Sequence, residues 1–411
     1  MDGQFYGSTA LHFSPFLSQI VAGSVGRGPP QSYKEFCSLA AALQHLLQQI
    51  INGIAAGSVY ALIAVGYTMV YGVLKFINFA HGDVYMVGAY VGLFAVGGVL
   101  SNLSPVGQDI GALLLCLIGC GLIGAFIERL AYRPLRNGLG PQDGWVWGLF
   151  WASYAGLFIG PVVEQHSPLT GVTSFVVVTG IAFAIFTPLL RLLFTRLGRI
   201  VMPSRNRLTA LITAIGISLL LENQGQAVFG ATPRSYKSQG FHPINLSAGG
   251  VTLNFNSGRL WILFTAVVLT MLLVYIVRHT RTGKAIRAVS FDPEAAALMG
   301  IPTDRIIALT FVIGSSLAGA GGFLNHSFGE IPFKADIGIQ LGLKAFVAAV
   351  LGGIGSIEGA VFGALLMGVA ENLVAGSAFN AFTDAIAFVI LIVVLLFKPT
   401  GLLGRNVTEK V

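Results

Sequence analysis

Apolar runs close to 20 residues long recur along most of the chain, parted by short polar breaks. A helix crossing the hydrocarbon of a bilayer needs about 20 mostly apolar residues. Eleven stretches meet or approach that need: 46–74, 84–100, 109–131, 146–163, 172–195, 208–229, 258–278, 306–328, 342–356, 359–376 and 383–398. The first is long enough to hold a break. The stretch at 342–356 is short and carries Gly352, Gly353 and Gly355, which suits a half-helix or a re-entrant element. The pattern predicts an all-α polytopic membrane protein with about 9–11 transmembrane or half-spanning helices.

The polar breaks differ in charge, and the difference assigns sides. One break carries Arg129, Arg133 and Arg136; a second carries Arg191, Arg196, Arg199, Arg205 and Arg207. A third carries Arg278, Arg281, Lys284, Arg287 and Arg305, and the tail adds Lys398, Arg405 and Lys410. The breaks near 101–108, 164–171 and 376–382 hold no Lys or Arg. Positive charge is retained on the cytoplasmic side, so the basic loops and the C-terminus are expected there. Parity over eleven crossings then puts the N-terminus outside, with 230–257 as an outer loop. The stretches 146–163 and 172–195 form a hairpin with both ends on the basic side. Removing it leaves the remaining topology unchanged, so it reads as an insertion, with Trp145, Trp147 and Trp151 as an interfacial belt at its start.

Composition narrows the class. Of 411 residues, 55% are hydrophobic and 10% charged, against roughly 25% charged in soluble domains. Glycine, at 53 residues, points to closely packed membrane helices. These values exclude a disordered regulator, a secreted disulfide scaffold and most soluble enzymes. The net charge of +7 is explained by positive-inside loops, so nucleic acid is not an expected partner. Cys116 and Cys120, four apart in an apolar run, read as small packing residues on one helix face.

Candidate chemistry is sparse. The one Gly-Lys pair, Gly283–Lys284, is followed by Ala285 where a phosphate loop needs Ser or Thr. An intramembrane hydrolase built on Ser315 or Ser316 cannot draw its base from His326, about 15 Å along the same helix. His81 from another helix remains open for that role. The cluster Asn78-Phe79-Ala80-His81-Gly82-Asp83 lies between two apolar runs. It reads either as an interfacial turn capped by Asp83 or as a broken helix lining a pathway. Gly352, Gly353, Gly355 and Ser356 are candidates for the same pathway. Glu371-Asn372, late in an apolar helix, reads as a water-facing pair. In the third basic break, Asp292 is a natural N-cap, Pro293 suits the first helical position and Gly300 the end. That spacing predicts a two-turn helix over 294–299 with Ala295 and Met299 on one face. It is too short to be stable alone, which favours docking in a partner's groove over lying on headgroups.

Residues 66–72 (Gly-Tyr-Thr-Met-Val-Tyr-Gly) followed by Ile77-Asn78-Phe79-Ala80-His81-Gly82-Asp83 resemble the LivH-type permeases of branched-chain amino acid ABC importers. Similar stretches are 128–136, 211–216, 304–314 and 349–356, and the resemblance covers roughly residues 45–137 and 206–405. It implies an importer subunit moving branched-chain or other hydrophobic amino acids inward, with a urea or other small-solute permease as the alternative. It also implies a second homologous permease, two cytoplasmic ATPases that bind ATP and magnesium, and an extracytoplasmic binding protein. No cofactor is implied in this chain, and the location implied is the bacterial inner membrane. In ABC importers a short cytoplasmic helix couples permease to ATPase. Glu294, Ala295, Ala296 and Gly300 match its pattern, and Asp292 and Leu298 belong to the same element. Two departures remain, a leader at 1–44 and the hairpin at 138–205. They divide the chain into leader, first core part (45–137), inserted hairpin and second core part (206–411) with a coupling loop at 279–305.

Overall fold

The first apolar run folds without interruption. In a computed structural model, which describes residues 31–137, 143–166, 171–197, 207–236, 243–248, 251–329 and 331–404, helix α1 spans Gln31–Leu74. No proline lies inside it and it runs through 46–74 without interruption, so the break allowed for in this stretch is absent. The boundary drawn at residue 44 falls within the helix, and residues 1–30 lie outside those described. Lys75 at φ 58° ends α1, its N–H donating to Tyr71 O. Helix α2 (Ala80–Val99) follows, its last turn a π-helix, and then α3 (Pro105–Asn137). Ser104 caps α3 by accepting from Gly107 N, with Pro105 at the first helical position.

Helices α4 (Gly144–His166) and α5 (Gly171–Leu197) pack on each other as the expected hairpin. Helix α6 (Arg207–Phe229) leads to an antiparallel ribbon, β1 (Pro243–Ala248) with β2 (Val251–Asn256), inside what the sequence pattern presents as a loop. Then come α7 (Ser257–His279), α8 (Arg281–Phe291), α9 (Pro293–Leu298), α10 (Thr303–Ser327), α11 (Ile337–Gly352), α12 (Ile357–Ala375) and α13 (Thr383–Phe397). Among the described residues eight helices are long and apolar enough to cross a membrane, and Val177–Leu193 and Ile337–Gly352 are shorter apolar segments. The short run near 342–356 is thus a 16-residue helix, below the length of a full crossing.

Helix α10 is the hub. It packs against α1, α2 and α3, while α12 packs along α1. Glycines allow these backbones to touch. A Cβ at Gly88 of α2 would fall on the Gly319 backbone of α10, and one at Gly322 on Tyr85 O. Lipid tails are as apolar as the helices, so association depends on such close van der Waals contact rather than on hydrophobic burial. Cys116 and Cys120 are buried and free, and they occupy the same seam; the Cys116 thiol points at Gly88 O at 3.3 Å.

Long-range contacts draw the basic segments toward one end. Arg136 bridges Glu128 and Asp304, each at 2.8 Å, Arg278 pairs with Glu358, and Ser290 Oγ donates to Gly72 O. Replacing Gly88 by Ala should lower the thermal unfolding midpoint of the detergent-solubilised protein, at a cost of about 1–3 kcal/mol from overpacking. Gly180→Ala, where nothing lies within 4 Å of the added carbon, should be neutral or stabilising by up to about 1 kcal/mol. Equal shifts for the two variants would contradict backbone contact as the organising feature.

Candidate functional site

The expected short helix forms, and its ends are built as the sequence pattern requires. Asp292 Oδ1 accepts from Glu294 N at 2.9 Å and Ala295 N at 3.0 Å, and Pro293 opens α9. At the other end Gly300 has φ 83°, its N–H donates to Ala297 O, and Ile301 N donates to Ala296 O. This pair of bonds satisfies the last carbonyls around a left-handed residue, a conformation glycine adopts without strain. Ala296 is buried, while Glu294, Ala295 and Leu298 are exposed. Three large apolar side chains stand in water: Phe291 at 91%, Leu298 at 89% and Met299 at 83% exposure. Phe291 escapes sequence reasoning because it closes the preceding helix. Helix α8 holds α9 in place, with Thr280 Oγ1 capping Gly283 N at 3.0 Å and Arg287 donating to Val277 O.

The cluster at 78–83 is largely buried. The chain breaks at 75–79, and His81, Gly82 and Asp83 lie in the first turn of α2, all buried. Asn78 Oδ1 accepts from Tyr132 OH at 2.7 Å, tying the break to the π turn of α3. The His81 ring stands edge-on to Tyr67 with centroids 4.6 Å apart, and it fills the space over Gly66. Gly82 lies against the backbone of Gly338 and Gly342, so the start of α11 sits directly on the start of α2. Asp83 is 1% exposed, beside the Ser218 hydroxyl, and neither carboxylate oxygen reaches hydrogen-bonding geometry with a described residue. Next to it a cavity of about 240 Å³ separates α6 from α11. Its walls include Ile215 and Leu219 of α6 and Ile339 and Leu343 of α11, with Tyr67 and Ser218 as polar edges.

Gly352, Gly353, Gly355 and Ser356 do not join that cluster. They form the turn from α11 to α12, about 20 Å of helix away from Gly338. Gly353 and Gly355 have φ of 108° and 98°, Ser356 Oγ caps Gly359 N, and Leu402 N and Leu403 N close the carbonyls of Leu351 and Gly352. Ser315 and Ser316 both face α3, Ser316 Oγ donating to Leu117 O at 2.6 Å, and His81 makes no hydrogen bond to either.

One polar cluster has a place that the sequence does not reveal. Glu371, read from sequence as water-facing, is buried on α12: it pairs with Lys344 of α11 and accepts from Tyr60 OH of α1 at 2.7 Å. Lys344 also reaches Asp384 of α13 at 2.7 Å. The available signal was Lys344 itself, a lone cation in an apolar run that requires an intramembrane partner.

These features define a polytopic α-helical membrane subunit with a capped, apolar-tipped short helix at its basic end. The sequence model for the branched-chain amino acid transport system / permease component matches residues 49–140 and 139–395, and the chain belongs to that family. It is 37% identical over 382 residues to the high-affinity branched-chain amino acid transport system permease protein LivH of Escherichia coli, covering 89% of this chain and 98% of that protein. BraD of Pseudomonas aeruginosa, described in the same words, is 36% identical over 381 residues, covering 90% and 99%. A probable LivH of Methanocaldococcus jannaschii is 30% identical over 156 residues, covering 36% and 49%.

Replacing Glu371 by Leu should cost about 2–4 kcal/mol, because it leaves a mostly buried ammonium with only the exposed Asp384 carboxylate and the Tyr60 hydroxyl without its acceptor. Asp384→Asn, at a carboxylate side chain 81% exposed, should cost less than about 1 kcal/mol. Thermal denaturation in detergent gives the order, and the reverse order would place the anchoring charge on α13.

Proposed function

We propose that this chain is one of two membrane subunits of an ABC importer that carries branched-chain or other hydrophobic amino acids inward, and that α9 is its coupling helix. The observation behind the coupling role is the exposure of Phe291, at the end of α8, and of Leu298 and Met299, at the end of α9, around an element whose ends are capped. A six-residue helix gains nothing in its own stability from having such side chains held in water at and beside its ends. A groove on an ATPase that receives them makes the arrangement favourable.

In this reading the chain carries no nucleotide site of its own, since Gly283–Lys284 lies within helix α8 rather than in a loop that cradles phosphate. ATP and magnesium belong to two cytoplasmic ATPase subunits. A second homologous permease completes the pathway, and an extracytoplasmic binding protein supplies the amino acid. Closure of the ATPases moves α9, and α8 passes that movement to α1 through Ser290 and Gly72. The location is the bacterial inner membrane, with the basic end and the C-terminus cytoplasmic and the N-terminus outside. The α4–α5 hairpin is an insertion that leans on the α3 π turn, where Arg129 lies over the Trp145 ring at 5.3 Å.

Gly300→Val forces a β-branched residue into a left-handed conformation, a strain of about 1–3 kcal/mol. Amino acid uptake and transport-linked ATP turnover should both fall, and a cysteine at Leu298 should crosslink to an ATPase subunit in the assembled complex. Labelling of that cysteine by lipid-phase probes, without a crosslink in any nucleotide state, rejects the coupling role. Deleting residues 140–204 should leave a C-terminal reporter on the cytoplasmic side; a tail that switches sides rejects the insertion.

A further inference from the structure

Burying a carboxylate without a partner is costly, and within a membrane span such a group ordinarily faces an ion pair or a ligand pathway. Asp83 is that group here. Two other buried charged sites in the bundle are paired: Glu128 with Arg136, and Lys344 with Glu371 and Asp384. Around Asp83 stand Ser218, the Tyr67 ring, the backbone of Gly338 and, one turn further along α6, the Glu222 carboxylate, none of them a cation. With glycine at 338 and 342, no side chain of α11 stands between its backbone and the start of α2.

The adjoining cavity supplies the second half of a site. At about 240 Å³ it is smaller than pockets for drug-sized ligands, which begin near 300 Å³, and it suits a molecule of amino acid size. Ile215, Leu219, Ile339 and Leu343 give it an aliphatic wall, and Ser218 joins that wall to Asp83. We propose that Asp83 receives the α-ammonium of a transported amino acid while its branched aliphatic side chain occupies the cavity between α6 and α11. This assignment rests on the importer reading above and adds the residues that recognise the cargo. An apolar wall beside an anionic acceptor selects an aliphatic amino acid over a sugar or urea, which offer neither a cation nor a branched hydrocarbon.

In this structure the carboxylate is covered, so the site is in an occluded form. Helix α6 is the element placed to uncover it. It packs mainly on α2 and the α3 π turn, and the cavity already separates it from α11.

The test uses the complete transporter, assembled with its partner permease, ATPases and binding protein in proteoliposomes, with radiolabelled leucine and valine as probes. Asp83→Asn should still yield an intact complex by size-exclusion chromatography yet reduce leucine uptake at least tenfold. Leu219→Phe, which fills the cavity from its partly lipid-exposed wall, should change the leucine-to-valine uptake ratio at least threefold. Leucine uptake by Asp83→Asn within twofold of the unaltered complex overturns the assignment. An unchanged ratio in Leu219→Phe also overturns it, and that variant decides the matter if Asp83→Asn fails to assemble. If the unaltered complex takes up neither amino acid, the importer reading itself fails, a result separate from failure of this site.

Discussion

Contact between bare helix backbones governs how this protein is assembled. Where Gly88 meets Gly319, and Gly322 meets Tyr85 O, α2 and α10 approach to a distance that any side chain would prevent. In lipid no gain comes from hiding apolar surface, so the attraction is dispersion over a close, well-fitted seam. Other features follow from that seam. It brings Tyr85 OH within 3.0 Å of His326 Nε2 at one end of the bundle, and His326 Nδ1 holds Ile331 O at 2.8 Å. The chain is thereby fixed as it turns back toward α11, and the start of α11 is set upon Gly82.

Each polar group inside the bundle then has to be satisfied by a neighbour rather than by water. Two solutions appear. Tyr132 with Asn78, and Tyr60 with Glu371 and Lys344, are closed arrangements that join helices distant in sequence. The start of α2 is an open one, where a carboxylate lies beside a cavity with no cation to meet it. The contrast is physical: closed networks hold the bundle in one arrangement, and an open one has free energy available for a ligand.

What was legible in the sequence were the features fixed locally. Length and hydropathy located the spans, because a bilayer sets the length of an element whatever its neighbours are. Asp292, Pro293 and Gly300 announced α9, since caps act within a few residues of chain. Glu371 was misread because its partners Lys344 and Tyr60 are 27 and 311 residues away, and nothing near it in sequence marks burial. The glycines at 352–355 were grouped with the pathway on composition alone, yet two of them serve a turn that needs positive φ. The ribbon at 243–256 has no sharp turn signal beyond Gly249-Gly250, and its pairing emerges only in three dimensions.

The unbroken course of α1 has a mechanical meaning. At 1.5 Å per residue its 44 residues make a rod of about 66 Å, roughly twice the thickness of the hydrocarbon. The rod contains no proline, the commonest cause of a sharp bend. Its C-terminal end is gripped at Gly72 by Ser290, two residues before the cap of α9, so torque applied there is not lost in a hinge. A tilt of roughly five degrees displaces the far tip by about 6 Å. Two faces of a membrane are thus linked by a single lever whose far arm runs well beyond the hydrocarbon.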